Sequence, residues 1–205
     1  MVAKFDLTVG QEANLTKDDL TLRNVHVGLG WDVKTSEDEY GMSEKEAVPY
    51  DLDACAFMLN NRRMIRSERD FVFYNNLENE TGCVIHSGDN TTGYGDGDDE
   101  AISIELDKVA FDVTHIVFTV SIHNALDRQQ TFGEIENAFI RVVNKDTEEE
   151  ILRYNLTGDF ELHNAIVIGE LYRVGSEWVF IAKDDGFAGG LAEIARSFDV
   201  NIRGE

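Results

Sequence analysis

Residues 87–100 read SGDNTTGYGDGDDE, four aspartates and one glutamate among four glycines. A tight turn asks for a single glycine at positive φ and a single Asx side chain, so this run exceeds turn chemistry. Two unit charges about 4 Å apart repel by roughly 4 kcal/mol at an effective dielectric near 20, which makes a crowd of carboxylates a natural cation trap. Calcium suits such a loop because it accepts about six to eight oxygens in flexible geometry, whereas magnesium demands a strict octahedron and keeps its water. Asp89, Asn90, Asp96, Asp98, Asp99 and Glu100 offer side-chain oxygens, and Gly93, Gly95 and Gly97 let backbone carbonyls turn inward. Asp51 and Asp53 form a second acidic pair in DLD. On a strand they project to one side about 7 Å apart, with Leu52 on the other. One ion between them or one on each is reasonable, and two calcium ions are the expectation for the whole set.

Other chemistries fit less well. Counting from Asp89 as position one puts Glu100 at position twelve of a helical calcium loop. Thr91, Gly93 and Tyr94 then stand where acids and the invariant glycine belong, and the flanks are strand-like. GYGDGD is not followed by the GK[ST] of a phosphate loop, and its acids would repel phosphate. No G-x-S-x-G occurs, and the adjacency of His86 and Ser87 says nothing about a catalytic pair. Cys83 and His86 lie three apart on a strand pattern, a spacing that sends their side chains to opposite faces. The five histidines are scattered and nominate no site.

The elements that must hold these acids are mostly strands. NVHVGLGWDV aligns Val25, Val27, Leu29 and Trp31 on one face, AISIEL aligns Ile102, Ile104 and Leu106, and HIVFTVSIH aligns Ile116, Phe118, Val120 and Ile122. DLDACAFML, DFVFYNN, NAFIRVVN, EEEILRYNL and NAIVIGELYRVGSEWVFIA add β-branched and aromatic runs, with a hairpin signal at Gly175-Ser176. Eight or nine strands result. Near the end the period changes: Leu191, Ile194, Ala195 and Phe198 make one stripe of a short amphipathic helix, and NALDRQQTFGEIENAF has room for minor helical turns. This pattern predicts an all-β antiparallel sandwich with a short C-terminal helix and minor peripheral helices, in a single domain over 1–205. The acidic run then becomes a loop at a sheet end. Asp32 closes one strand and Asn75 another, so both are expected near the same edge.

The chain has 205 residues, 42% of them hydrophobic and 10% aromatic, which is enough for a proper core. Asp plus Glu number 40 against 18 Lys plus Arg, a formal charge of −22. Such a field repels nucleic-acid phosphates, so no direct nucleic-acid partner is expected, and it draws cations. Two cysteines in strand-like settings give no disulfide framework. With no signal-peptide pattern and no long apolar run, the expectation is a soluble cytoplasmic protein.

VGLGWD, DLDACAFML, FVFYNN, GDNTTGYGDGDDE, TFGEIENAFIRVVN, GELYR and FAGGLAEIARSFDV together resemble the TerD-type tellurium-resistance and stress-response family over nearly the whole chain. The resemblance implies a cytoplasmic calcium-binding β-sandwich associated in bacteria with resistance to tellurite, phage and other stresses. The family's acidic motif carries over onto Asp51, Asp53, Asp89, Asn90, Asp98, Asp99 and Glu100, whereas Asp32, Asn75 and Asp96 are added from strand-end position. The loop at 34–50 is longer than the family pattern. No catalytic activity is implied. The leading function is a non-enzymatic calcium module that docks other stress-resistance proteins, at the inner membrane face. Alternatives from other classes are a small-ligand, cyclic-nucleotide binder and a metal-dependent phosphohydrolase, which would need an open coordination position and a proton-transfer group.

Overall fold

The computed structural model describes residues 3–17, 19–34, 50–88 and 97–202. Their strands form two six-stranded sheets packed face to face. The first runs in the order β1 (Phe5–Leu7), β10 (Glu149–Asn155), β9 (Ile135–Asn144), β3 (Asn24–Val33), β7 (Glu100–Glu105), β6 (Val84–His86). The second runs β2 (Glu12–Asn14), β12 (Glu177–Phe187), β11 (Ala165–Val174), β8 (His115–Ile122), β4 (Leu52–Leu59), β5 (Phe71–Val72). Every pairing is antiparallel except that of β1 with β10. The predicted sandwich is therefore present, with more strands than the eight or nine expected because β1 and β2 are too short to show a period. The Gly175-Ser176 turn joins β11 to β12, with Val174 opposite Glu177. A short helix α1 (Ala125–Arg128) and the terminal helix α2 (Gly190–Ser197) complete the described elements, apart from single 3₁₀ turns.

The alternation read from the sequence sets the core. Val25, Val27, Leu29 and Trp31 face Ile102, Ile104, Ile140 and Val142 of the same sheet's inner surface, and Ala54, Ala56, Met58, Phe118, Ile166 and Phe180 come from the other. β4 is buried on both sides. Its Cys55, Phe57 and Leu59 turn outward into a second cluster, which α2 covers with Leu191, Ile194, Ala195 and the following Phe198. One long pattern did not hold. Of DFVFYNN only Phe71 and Val72 pair with β4, and Tyr74 and Asn75 form a turn. The aromatic side chains stack, Phe57 on its ladder partner Phe71 and Phe71 on Phe73.

Beyond α2, the outer face of the second sheet carries a buried carboxylate. Glu170 accepts a two-pronged pair of hydrogen bonds from Arg63 at 2.8 and 3.1 Å, and Lys183 Nζ lies 3.1 Å away. His115 Nε2 stands 3.8 Å from the same group. Burial lifts the Glu170 carboxyl, but the cations outweigh it and hold it below its ordinary value. Burial likewise depresses His115 below 6.5, against an opposing pull from Glu170.

Candidate functional site

Strand register decides which acids meet. Leu29 of β3 lies opposite Glu100 of β7, Leu52 of β4 opposite Ile122 of β8, and Asp32 opposite Glu136. The ends bearing Asp32, Asp51, Asp53, Asp98, Asp99 and Glu100 gather at one end of the sandwich, where Glu100 of the first sheet reaches Ala54 of the second. Asp89, Asn90, Gly93 and Asp96 lie within 89–96, outside the described residues, as does nearly all of the long 34–50 segment. Among the described residues, no three His, Cys, Asp or Glu side chains stand close enough to hold an ion together.

The three consecutive acids at the start of β7 go three ways. Asp98 lies on the outer face of the first sheet. Arg141 of β9 grips it with Nε on Oδ1 at 2.7 Å and Nη2 on Oδ2 at 3.0 Å, and His26 Nε2 donates to Oδ2 at 3.1 Å. Burial would lift the Asp98 carboxyl, but the hydrogen bonds and charges of His26 and Arg141 hold it below the usual carboxylate value. Gly28 makes room for it. A Cβ there would overlap the Asp98 carboxyl, and one at Gly30 would overlap the Phe139 ring, which is why VGLGWD alternates glycine with its inward apolar residues.

Asp99 is half-buried against β3. Its N–H donates to Leu29 O at 2.8 Å, and its Oδ2 accepts from the Trp31 N–H at 2.9 Å. Burial pushes this carboxyl above its ordinary value, the Trp31 hydrogen bond opposes that, and the charges of Asp32 and Asp98 add to the rise. Asp99 and Asp32 are thus the neighbouring pair that a bound cation would relieve. Asp32 itself is exposed and accepts from Asn137 Nδ2 at 2.8 Å.

Glu100 goes inward, only 1% exposed, and crosses to the other sheet. Its Oε2 accepts from the Ala54 N–H on the edge of β4 that the short β5 leaves uncovered. His86 serves the same stretch: its Nδ1 accepts from Gly88 N at 3.1 Å, which leaves Nε2 protonated to donate to Ala54 O at 3.0 Å, 3.5 Å from Glu100 Oε2. Two side chains therefore take the place of a neighbouring strand. Asp53, 3% exposed, lies 3.3 Å from His123 Nδ1, and the His123 N–H donates to Asp51 O at 2.7 Å. His123 in turn meets the Tyr74 ring edge-on. Asn75 is exposed in the adjoining turn.

Sequence reasoning missed the histidines. His26, His86 and His123 stand against Asp98, Glu100 and Asp53, three of the acids singled out above. They are far apart in sequence and meet their partners only through strand register. Arg141 was missed for the same reason. The alternation of β9, which points Arg141 to the same side as Phe139, was its only signal.

A calcium ion implied by the resemblance finds a suitable donor chemistry at this end: hard carboxylate oxygens from β3, β4 and β7, and a loop rich in further oxygens. The chain matches the TerD domain family over residues 3–198. Tellurium resistance protein TerD of Serratia marcescens is 44% identical over 195 residues, covering 95% of this chain and 97% of that protein. General stress protein 16U of Bacillus subtilis (strain 168) is 43% identical over 198 residues, covering 97% and 98%. The crystal structure of a homologue of telluride resistance protein (TerD) from Streptomyces coelicolor A3(2) superposes with a TM-score of 0.63 at 22% identity, covering 84% of this chain and 95% of that one. This likeness shows the sandwich to be a shared fold. By sequence over nearly its whole length, the chain belongs to the TerD family of tellurium-resistance and stress-response proteins.

Proposed function

We propose that this protein is a non-enzymatic calcium-binding module of the stress response, which takes two ions at the acidic end of the sandwich and there docks other stress-resistance proteins at the inner face of the membrane. The observation that carries this reading is that Asp32, Asp51, Asp53 and Asp99 stand at one end of the sandwich, where Glu100 links the two sheets through Ala54. Asp99 is held above its ordinary value by burial and by its neighbours' charges, a cost that a cation would remove. Asp89, Asn90, Asp96 and Asp99, with Asp32, would hold one ion, and Asp51 with Asp53 the other. Bound calcium supplies charge neutralisation. The chain's own residues provide the rigid strand ends, and a partner repelled by bare carboxylates can then approach.

Calorimetric titration with calcium, repeated with magnesium, tests the reading. The expected result is calcium uptake well in excess of magnesium uptake, lost on Asp99→Asn combined with Asp89→Asn while the far-ultraviolet spectrum stays that of a β protein. Unchanged uptake by that variant would remove the loop as the site. Metal-dependent phosphoester cleavage by the wild type would replace the docking role with an enzymatic one.

A further inference from the structure

We infer that copies of this protein associate head to tail: the end of the sandwich opposite the acidic one carries an apolar patch set among arginines, and this patch takes the acid-rimmed apolar patch of a second copy. The association needs neither calcium nor residues 89–96.

Strand ends place the two patches. Among the described residues eight large apolar side chains are exposed, and the five most exposed, at 51–82%, all lie at the ends of the sandwich. Leu20, Phe111 and Val174 stand where β3 and β8 begin and β11 finishes, whereas Leu126 and Leu162 stand where β8 finishes and β11 begins, at the acidic end. Single exposed apolar residues are ordinary, but grouped ones mark an interaction surface. Hydrogen bonds tie each group together. Leu106 N donates to Arg23 O at 2.8 Å and Arg23 Nη1 to Leu20 O at 2.9 Å, so the turn bearing Leu20 abuts the 106–114 connection. Arg173, next to Val174, reaches the same connection through Nε on Val113 O at 3.0 Å and Nη2 on Val109 O at 2.7 Å. Its guanidinium lies 4.2 Å from the centre of the Trp178 ring and 5.9 Å from that of Phe111. At the acidic end Ile122 N donates to Asn164 O at 3.0 Å and Phe132 N to His163 O at 2.8 Å, which joins the segment bearing Leu126 to the one bearing Leu162.

The rims are complementary in charge. Arg173 has no ion pair among the described residues, and burial alone pushes its guanidinium below its ordinary value. Arg23 and Arg62, both exposed, likewise have no carboxylate partner there. The nearby acids are already engaged, Asp112 by Arg66, Glu105 by Lys108 and Asp19 by Thr21. Around Leu126 and Leu162 the balance is reversed: Asp127, Glu134, Glu136, Asp159 and Glu161 are exposed, against Lys34 and Arg128. A guanidinium that is partly desolvated and fixed by two carbonyls loses little freedom on meeting a partner's carboxylate, and arginine beside an aromatic ring is a common binding hot spot. The charge of −22 repels copies at a distance. A ten-residue strand such as β11 separates the two ends by about 30 Å, however, and screening over about 8 Å at physiological ionic strength lets each end act on what touches it. Because the patches lie at opposite ends, the contact is heterologous and repeats, giving an open chain or a ring.

Sedimentation equilibrium on the full chain without added metal, from about 10 μM to about 1 mM, tests this. The wild type is expected to exceed the monomer mass as concentration rises and to grow beyond two copies. Leu20→Ser with Phe111→Ser, and separately Leu126→Ser with Leu162→Ser, should each weaken association by about tenfold or more. Mixed in equal amounts, the two variants should form a pair and stop there, since each keeps the end that the other lacks. All four side chains are exposed, so thermal melts of the variants should match the wild type. Should a double variant melt early, Phe111→Ser or Leu162→Ser alone carries the comparison. A wild type that stays at the monomer mass throughout would overturn the inference, as would variants that associate like the wild type, or a mixture that yields no pair. Growth of the wild type that stops at two copies means a two-fold interface and overturns it as well. With no metal added, any of these failures leaves the calcium titration above to stand or fall by itself.

Discussion

Glu170 shows how a single buried carboxylate ties pH to stability. Its folded value lies below the ordinary 4.5 because Arg63 and Lys183 outweigh burial, so its contribution is full above that value and is lost as pH falls through the carboxylate range. His115 adds to this from a higher starting point. Burial holds its folded value below 6.5, so the folded state resists a proton that the unfolded chain accepts, and stability declines as pH falls below about 6.5. Both effects have the same sign. Thermal melts from about pH 7.5 to about pH 4 should fall monotonically, with Glu170→Gln flattening the lower limb and His115→Gln the upper. A melting temperature that rises on acidification would refute the assignment. At this scale the sequence exposed the acids and hid their partners. SGDNTTGYGDGDDE stands out because its charges are contiguous, whereas His26 and Arg141 come from strands whose register no local pattern announces.

Among elements, β4 is the informative one. The run DLDACAFML reads as a strand, and the structure makes it one that is buried on both faces. The run DFVFYNN, expected as a strand, contributes only Phe71 and Val72 to pairing with it, because the chain turns back at Tyr74 and Asn75 and Phe73 bridges to Asn76. The open stretch of β4 is closed by Glu100 and His86 from the opposite sheet. A lost partner there leaves a buried N–H, which costs about 1–3 kcal/mol. Glu100→Ala should therefore destabilise the protein in urea unfolding by roughly that amount, and Glu100→Gln, whose amide oxygen can still accept from Ala54, by distinctly less. Equal losses for the two variants would show that the charge, not the acceptor, is what β4 needs.

Over the whole molecule, the net charge of −22 is borne by a sandwich whose core is ordinary, so metal and fold are expected to be separable. Without calcium the inter-sheet core should persist on apolar burial while the acidic end loosens. A ligand at about a hundredfold above its dissociation constant stabilises by about 2.7 kcal/mol, enough to raise Tm by several degrees at this size. Hydrogen exchange should show new protection at 87–100 and at Asp51–Asp53 on adding calcium, with α2 unchanged. Equal melting and equal exchange in calcium and chelator would deny the ion a structural role. The all-β class and the terminal helix were legible because their periods run over many residues, and the edge strands β1 and β2 were not, because three residues carry no period.

The parallel pairing of β1 with β10 sets a schedule for synthesis. Phe5 finds its partner only at Leu152, and β3 lies between β7 and β9, both of which follow it by a wide interval. On a ribosome, where the chain lengthens by about 5–20 residues each second, the first strands must wait many seconds for the neighbours that cover them. Until Glu149–Asn155 leaves the exit tunnel the first sheet has no complete edge, and long-range pairings of this kind slow folding after release as well. The nascent chain is therefore most open to chaperones, and to mispairing with its own copies on neighbouring ribosomes, during the middle of its translation.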